Sequence, residues 1–488
     1  MRNHRAKGTP GGIPSGAGAS SWITQGSLIK AVWRLSLPMM AAAVLQDVFA
    51  IVDMIFVGRL GPAAVAAVAV SGTILGIIYM LGVGVTTGCT ALVAQAVGGG
   101  NRSRAQQVVG QSLVMMAGIS MAVAALGIPW AEFCLRALGA EPEVVAAGRP
   151  YLQISAGGAF AMLLSVTFAS ALRGAGDAVT PLKIMGLANV MNIILDPILI
   201  FGLLGMPALG VAGSAVATLT CRLFAASWLA IIFFWKGHIH FRLYWQDLSP
   251  RFSIISQMFR IGIFGSGQVL IRNISALILV RLVAMFGTVA LASYGIGMRL
   301  RMVVMMVGMG FANAAAALVG QNIGALRMDR AARAGWLTAA MYSLIAVPLT
   351  IVFFVLAEHI VAIFNSQPEV VTTGANFVRW FSATFVFLCL SMVLGRSMNG
   401  AGDTFWPMVI TGVSMIALRI PAAYGFAHLL KSVTGVWVGL ALSNVVQGLL
   451  FAAAFRWGHW KAVGRAHVEA AQAHDVARAQ AVVNDPQR

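Results

Sequence analysis

The sequence is poor in charge and especially poor in acidic residues. Only 10% of its 488 residues are charged, and only 15 are Asp or Glu, whereas about a quarter of an ordinary globular domain is charged. Hydrophobic residues make up 59% of the chain, and its mean hydropathy is +0.85. This composition excludes a soluble enzyme, a secreted disulfide scaffold and a disordered chain. It is typical of a protein that crosses a membrane many times.

Cysteine is also scarce, and no cofactor motif is present. The four cysteines stand singly in or beside apolar runs, which excludes a disulfide framework and a metal site: Cys89, Cys134, Cys221 and Cys389. The sequence has no GxxxxGK[ST] motif for ATP and no DDxxD-like acidic group, which a membrane-embedded transferase would use for Mg²⁺. We therefore expect neither an enzyme nor a cofactor.

Twelve segments are long and apolar enough to cross a bilayer, which takes about 20 residues. The first 20 residues are rich in Gly, Pro and Ser and lack the apolar core of a signal peptide, so residues 1–30 are predicted to be a disordered tail. Residues 459–488 are predicted to be a polar tail, helical or disordered. The fold class is all-α, with spans at 34–58, 64–88, 104–128, 146–170, 180–203, 209–235, 259–284, 289–314, 333–357, 372–396, 404–430 and 435–457.

The net charge of +18 is concentrated on one side of these spans. With twelve spans, both termini and the even-numbered loops share a side. Those loops hold twelve basic residues, and the tails and the first span's edge hold ten more, against five in the odd-numbered loops. The positive-inside rule therefore predicts that both termini are cytoplasmic. Nucleic-acid binding by the tails is the weaker explanation, and we expect no nucleic-acid partner.

The chain aligns with itself at an offset of 226 residues, which indicates a duplication. Residues 31–240 and 241–458 are predicted to form two six-helix lobes. Because six is even, the lobes run in the same direction, as in two-lobed transporters with a central cleft. A duplication without transport is the alternative. The matching sites are Leu92–Gln95 with Leu318–Gln321, Pro142–Val145 with Pro368–Val371, Gly174–Asp177 with Gly400–Asp403, and Pro181 with Pro407.

These motifs resemble those of the multidrug and toxic compound extrusion (MATE) family. The resemblance runs from about Leu35 to Trp457. It implies a V-shaped two-lobed monomer in the bacterial inner membrane that exports small drugs or metabolites in exchange for a cation. The motifs that carry it are Val52–Gly61, Arg173–Asp177 with Pro181, Asn399–Asp403 with Pro407, Ala188–Pro197 and Val319–Gly324.

Asp47, Asp53 and Asp196 lie well inside predicted spans, where a carboxylate costs several kcal/mol unless it is paired, neutralised or hydrated. Asp53 and Asp196 lie 19 and 16 residues from the starts of their spans. At about 1.5 Å per residue they reach similar depths. Asn192 lies one helical turn before Asp196 and faces the same way. These oxygen-bearing side chains are suited to binding Na⁺ or a shared proton, and a purely structural pair is the alternative.

The resemblance to MATE transporters points to the same residues. Asp53, Asn192 and Asp196 match the N-lobe cation site of the DinF-like branch, and Thr218 is its expected sixth-helix member. The repeat positions of Asp53 and Asp196 in the second half hold Leu279 and Ala422. This loss argues against the ion site of the NorM-like branch.

Several arginines lie inside spans of the second half, and Arg272 and Arg419 lie near mid-span. Arg272 aligns with Gln46, beside Asp47, and we expect the helices that carry them to face each other. Asp47 and Arg272 are predicted to interact across the cleft, or Arg272 and Arg419 to favour anionic substrates. Pairing within one lobe is an equal alternative. Gln46 and Asn273 complete this tentative substrate cleft.

Two transport functions remain open. The favoured one is a secondary antiporter driven by H⁺ or Na⁺, with alternating access to the cleft. The alternative is a flippase for lipid-linked oligosaccharides or an exporter of anionic substrates, because a basic cleft would suit pyrophosphate. Asp177 and Asp403 in the Gly-Ala-Gly-Asp loops are predicted to cap the helices that follow, not to bind a ligand.

Overall fold

The computed structural model describes residues 21–237 and 242–483, with the backbone alone for Ser21 and for 474–483. These residues form helices and no strand. Among the described residues, ten continuous helical segments are long and apolar enough to cross a membrane, with 405–430 counted as one, and the number is twelve if each of two bent pairs is one span. The predicted fold class is confirmed. The parts of the predicted tails and lobe boundary at 1–20, 238–241 and 484–488 lie outside the described residues.

The N-lobe is built from seven helices that make six spans. Pro62 and Pro142 each begin a helix, where the missing N–H of proline costs nothing. The span predicted at 146–170 is two helices, α5 and α6, which meet at Gly158 with a bend of 48°. The helices are α2 (Leu28–Gly58), α3 (Pro62–Gly98), α4 (Arg102–Ala137), α5 (Pro142–Gly157), α6 (Ala159–Gly174), α7 (Val179–Phe201) and α8 (Val211–Ile231), preceded by the short α1 (Ser21–Thr24).

The C-lobe repeats this plan, and α13 and α14 meet with a bend of 50°. Pro368, the repeat mate of Pro142, begins α13 in the same way. A π-helical segment, Val413–Leu418, joins α15 to α16. The helices are α9 (Phe252–Ala284), α10 (Thr288–Gly324), α11 (Met328–Val355), α12 (Ala357–Ala362), α13 (Pro368–Ser382), α14 (Phe385–Gly400), α15 (Phe405–Gly412), α16 (Arg419–Leu430), α17 (Thr434–Trp457) and α18 (His459–Val483).

The N-terminal tail is shorter than predicted, because residues 21–30 are structured. Trp22 stacks against the guanidinium of Arg34 at 4.5 Å, and Ile23 is 1% exposed. From the other lobe, Arg327 donates to the carbonyl of Thr24 and Arg330 to that of Ile23, each at 3.0 Å. These contacts fix a segment whose polar composition had predicted disorder.

The C-terminal tail begins as a docked helix. Trp460 of α18 is buried and stacks on Phe455 of α17, with ring centroids 4.6 Å apart. Further along α18, Gly464 packs against Ile323, and His467 lies beside Gly402. The described parts of the two tails, α1 and α18, therefore lie on the same side of the molecule as the described even-numbered loops. We call this side, marked by α1 and α18, the terminal side.

The lobes close against each other on the terminal side. Gly98 of α3 lies against Gln321 of α10, and Gly324 lies against Gln95. A Cβ on either glycine would overlap the backbone of the residue it faces. Small residues here let two helices approach backbone to backbone. The two lobes are therefore in direct backbone contact on this side.

Candidate ion site and central cavity

Asp53 of α2 and Asp196 of α7 come together in the N-lobe, as their depths predicted. Their carboxyl groups lie in hydrogen-bonding contact with each other. Asp196 is 0% exposed, and its Oδ1 has no hydrogen-bond donor. Two facing carboxyl groups cannot satisfy one another unless a proton or a cation lies between them.

Asn192 orients Asp196 through its amide nitrogen. In the amide orientation that its neighbours require, Nδ2 donates to Oδ2 of Asp196 at 2.9 Å. Its oxygen accepts from the backbone N–H of Thr218 at 3.1 Å. The Asn192 oxygen, predicted as a cation ligand, is thus turned toward α8. Thr218 serves this network through its backbone.

Ser214 is a site residue that the sequence analysis missed. Its hydroxyl donates to Oδ1 of Asp53 at 2.7 Å. Ser214 lies one helical turn before Thr218 on α8, so the two residues share a helix face. The predicted position of Thr218 could therefore have pointed to Ser214. Tyr151 of α5 lies within electrostatic reach of both Asp53 and Asp196. The position in the C-lobe that corresponds to Asp53 holds Leu279, which is buried.

The predicted ion pair between Asp47 and Arg272 is wrong for this structure. Neither residue forms an ion pair within the described segments. Gln46 lines the central cavity. Successive residues of a helix are rotated by about 100° about its axis, so the side chain of Asp47 points in a different direction. Asp47 lies on an exposed face of α2 and does not line the cavity. Asn273 is also exposed and does not line it.

Arg419 lies inside the C-lobe and not in the cleft. It is 3% exposed, and its Nε donates to the Ser443 hydroxyl at 2.7 Å. Its Nη2 donates to the Asn444 side-chain oxygen at 2.9 Å. These bonds join α16 to α17. Arg419 therefore pairs with polar neighbours inside its own lobe, which was the alternative to a role in the cleft.

The cavity between the lobes has two compartments. The N-lobe compartment, about 1530 Å³ including the space open to solvent, lies mainly among N-lobe helices and includes Arg173, Arg222 and Arg396. The C-lobe compartment, about 880 Å³ on the same measure, lies in the C-lobe and includes Arg272, Arg301 and Arg396. The residues that line both are Met309, Asn313, Arg396 and Asn399. The compartments are therefore contiguous.

The Gly-Ala-Gly-Asp loops have the capping role that was predicted. Oδ1 of Asp177 accepts from the backbone N–H groups of Val179 and Thr180, each at 3.0 Å. Oδ1 of Asp403 accepts from the N–H of Trp406 at 3.3 Å. Side-chain acceptors at a helix start satisfy N–H groups that have no partner in the helix.

Comparison with known proteins assigns the family. The MatE family profile matches residues 38–198 and 266–425. A probable multidrug resistance protein NorM of Thermotoga maritima is 26% identical over 437 residues, 88% of this chain and 93% of that protein. An FAD transporter of Shewanella oneidensis is 25% identical over 416 residues, 85% and 92% of the two chains. A crystal structure of MATE in the bent conformation has a TM-score of 0.85 at 24% identity, over 92% of this chain and 99% of that one.

One family match lies in each lobe, and the relatives align along almost their full length. The chain therefore belongs to the MATE family and is a multi-pass membrane transporter of small molecules, not an enzyme.

Proposed function

We propose that this MATE transporter is a proton-driven secondary antiporter that exports small organic compounds as a monomer. The observation that carries the proposal is the buried contact between Asp53 and Asp196. The pair lies in the N-lobe, while Leu279 occupies the repeat position of Asp53. This asymmetry favours the DinF-like branch of the family.

The hydrogen bonds around the pair favour a proton over Na⁺. Ser214 and Asn192 already donate to one oxygen of each carboxyl group. A proton shared by Asp53 and Asp196 would supply the donor that Oδ1 of Asp196 lacks and would remove one negative charge. Sodium prefers oxygen ligands, but Asn192 turns its nitrogen toward Asp196. The site therefore offers fewer oxygens than the sequence predicted.

The basic residues of the even-numbered loops and tails support a cytoplasmic terminal side in the bacterial inner membrane. Arg173 and Arg396 were counted with these loops but line the cavity. The remaining ten still outnumber the five of the odd-numbered loops. In this orientation the closed lobes seal the cytoplasmic side. Protonation from outside would then loosen the contact of α2 with α7 and start the return to the inward-open state.

A second candidate is an exporter or flippase of anionic compounds. The arginines of the central cavity favour it, and one relative of similar length is named an FAD transporter. Both candidates use the same cavity. They differ in the charge of the cargo, and a flippase would in addition work without ion flux.

Gradient-driven transport in proteoliposomes tests the proposal. Gradients of pH and of Na⁺ are imposed separately, with ethidium and FAD as fluorescent cationic and anionic reporters. We expect the pH gradient to drive export, and Asp53→Asn and Asp196→Asn to abolish it. Asp329→Asn, at the start of α11, is the matched control. Export driven by Na⁺ alone would identify sodium, and undiminished export in both variants would contradict the ion site.

A further inference from the structure

Five arginines line the central cavity without acidic partners. No Asp or Glu among the described residues lines either compartment. None of the five forms an ion pair with an acidic residue of the described segments. They come from both lobes, on helices α6, α8, α9, α10 and α14: Arg173, Arg222, Arg272, Arg301 and Arg396.

These positive charges also repel one another. Arg396 lies within electrostatic reach of Arg173 and of Arg272, and Arg272 is in turn within reach of Arg301. Unpaired charges within the thickness of a membrane protein are costly and mark sites of function. The cluster therefore raises the free energy of the empty cavity, and an anion would lower it.

Arg419 shows what a structural arginine looks like in the same lobe. Its guanidinium is buried and donates to Ser443 and Asn444 at 2.7 and 2.9 Å. By contrast, Arg173 and Arg396 are half-buried, Arg272 is exposed, and none of the three has a hydrogen bond to the described residues. Their donors are free for a ligand.

The duplication does not impose this cluster. At the repeat position of Arg173 stands Asn399, and at that of Arg396 stands Ser170. Both of these shorter residues also line the cavity. Each lobe therefore contributes one arginine to the terminal-side part of the cavity from a different position, and the two guanidinium groups can approach one ligand from opposite sides.

The rest of the wall is suited to a flat apolar group. Tyr79 lies within electrostatic reach of Arg173, Arg222 and Arg396. Met309 lines both compartments, and Met305 lines the C-lobe compartment. Methionine adapts to varied apolar shapes and contacts aromatic rings favourably.

We infer that the central cavity binds an organic pyrophosphate, with Arg173, Arg396 and Arg272 holding the phosphate oxygens. The planar guanidinium fork pairs with phosphate through two parallel hydrogen bonds, and several arginines in one place suit more than one negative charge. Tyr79 and Met309 would contact the apolar or aromatic part of the ligand. This inference rests on the second candidate function, export of anionic compounds, and narrows that cargo to pyrophosphates.

Equilibrium binding to the purified full-length protein in detergent tests the inference. No gradient is present, so a failure of the proposed ion coupling would leave the binding result unaffected. FAD is the fluorescent probe, riboflavin is its flavin part without phosphates, and adenosine, tested as a competitor, controls for the nucleoside that riboflavin also lacks. We expect FAD to bind at least about tenfold more tightly than riboflavin, because charge-assisted hydrogen bonds are lost with the phosphates.

Variants locate the binding site. Arg396→Gln should weaken FAD binding by at least about tenfold, and Arg396→Lys should have an intermediate effect because it keeps the charge but loses the fork. Arg281→Gln, exposed on α9 outside both compartments, is the control. If Arg396→Gln does not fold, Arg272→Gln replaces it, because Arg272 is the more exposed residue.

Competition separates the two sources of a pyrophosphate group. Stronger displacement of FAD by ADP would indicate a soluble nucleotide-like cargo, and stronger displacement by farnesyl pyrophosphate would indicate a lipid-linked one. Either result supports the inference. Equal binding of FAD and riboflavin, no binding of any pyrophosphate probe by folded wild type, or unchanged FAD binding in folded Arg396→Gln and Arg272→Gln would overturn it.

Discussion

Gln95 and Gln321 occupy equivalent positions of the two repeats and donate the same hydrogen bond in opposite directions across the lobe interface. Nε2 of Gln95 donates to the carbonyl of Gly400 at 3.4 Å, and Nε2 of Gln321 donates to the carbonyl of Gly174 at 2.9 Å. Gly174 and Gly400 are themselves repeat mates. This crossed pair ties α3 to α14 and α10 to α6, where the terminal side is closed.

Removing the shorter of these bonds should open the terminal side. Gln321→Ala loses a buried interlobe hydrogen bond worth about 1 kcal/mol, which shifts a two-state equilibrium by about fivefold. Asn313→Cys places a cysteine in the cavity wall. In the Gln321→Ala protein we expect this cysteine to react about fivefold faster than in the protein with Gln321 with an impermeant maleimide added on the terminal side. The native cysteines are replaced beforehand.

The control for this measurement is Gln153→Ala. Gln153 also donates to a backbone carbonyl, that of Ile128 at 3.0 Å, but within the N-lobe. Its removal should leave the labelling rate unchanged. Equal labelling rates for Gln321→Ala and wild type would mean that the crossed bonds do not hold the closed state.

The ion site makes a distinct prediction for two hydroxyl residues of α8. Ser214→Ala removes the donor to Asp53, and hydrogen bonds to charged groups contribute about 1.5–3 kcal/mol. Export driven by a pH gradient should fall by about tenfold. Thr218→Ala keeps the backbone N–H that Asn192 accepts, so its effect should be much smaller.

Thr220→Ala is the matched control, because the exposed Thr220 bonds only to Val216 of its own helix among the described residues. A larger loss in Thr218→Ala than in Ser214→Ala would show that the Thr218 side chain binds the ion directly, as the resemblance to the family implied.

Much of this architecture could be predicted from the sequence because it depends on period and repeat. The 226-residue offset identified the two lobes. The similar depths of Asp53 and Asp196 in their spans predicted that the two carboxyl groups lie close together. The bends between α5 and α6 and between α13 and α14 were missed. The two helices of each pair together are apolar enough for one span, so hydropathy alone does not show where the span changes direction.

The arginine cluster was the harder feature to predict. Arg173 and Arg396 lie at span ends, where a basic residue normally indicates topology. Arg272 and Arg419 both lie near mid-span, yet one lines the cavity and the other is bonded inside the lobe. The direction of a side chain about its helix decides between these roles. That direction depends on packing that no local pattern records.

The same substitution should therefore lower the stability of the protein at Arg419 and weaken ligand binding at Arg272. Arg419→Met leaves the Ser443 and Asn444 oxygens without their buried donor and should lower the free energy of unfolding by about 1–3 kcal/mol. Arg272→Met should weaken FAD binding with little change in Tm. Thermal unfolding and FAD binding are measured on both variants. Weaker FAD binding with an unchanged Tm in Arg419→Met would show that Arg419 contacts the ligand and does not stabilise the lobe.

Docking of α18 should weaken in mild acid because of His467. Burial lowers the pKa of His467, and the positive charge of Arg260 lowers it further. The docked helix therefore favours the neutral imidazole. Docking is at full strength above the ordinary histidine pKa of about 6.5 and loses free energy as the pH falls below it. Burial raises the pKa of the nearby Asp403, which acts in the opposite direction, so a variant is needed to isolate His467.

Hydrogen exchange of the backbone at 459–473, corrected for intrinsic rates, measures this effect between about pH 7.5 and pH 5.5. Wild type should exchange faster at the lower pH. His467→Gln has no charge to gain and should lose most of the pH dependence, while Asp403 and its contact with His459 at 3.4 Å remain in place. An unchanged pH dependence in His467→Gln would show that protonation of His467 does not cause the weakening.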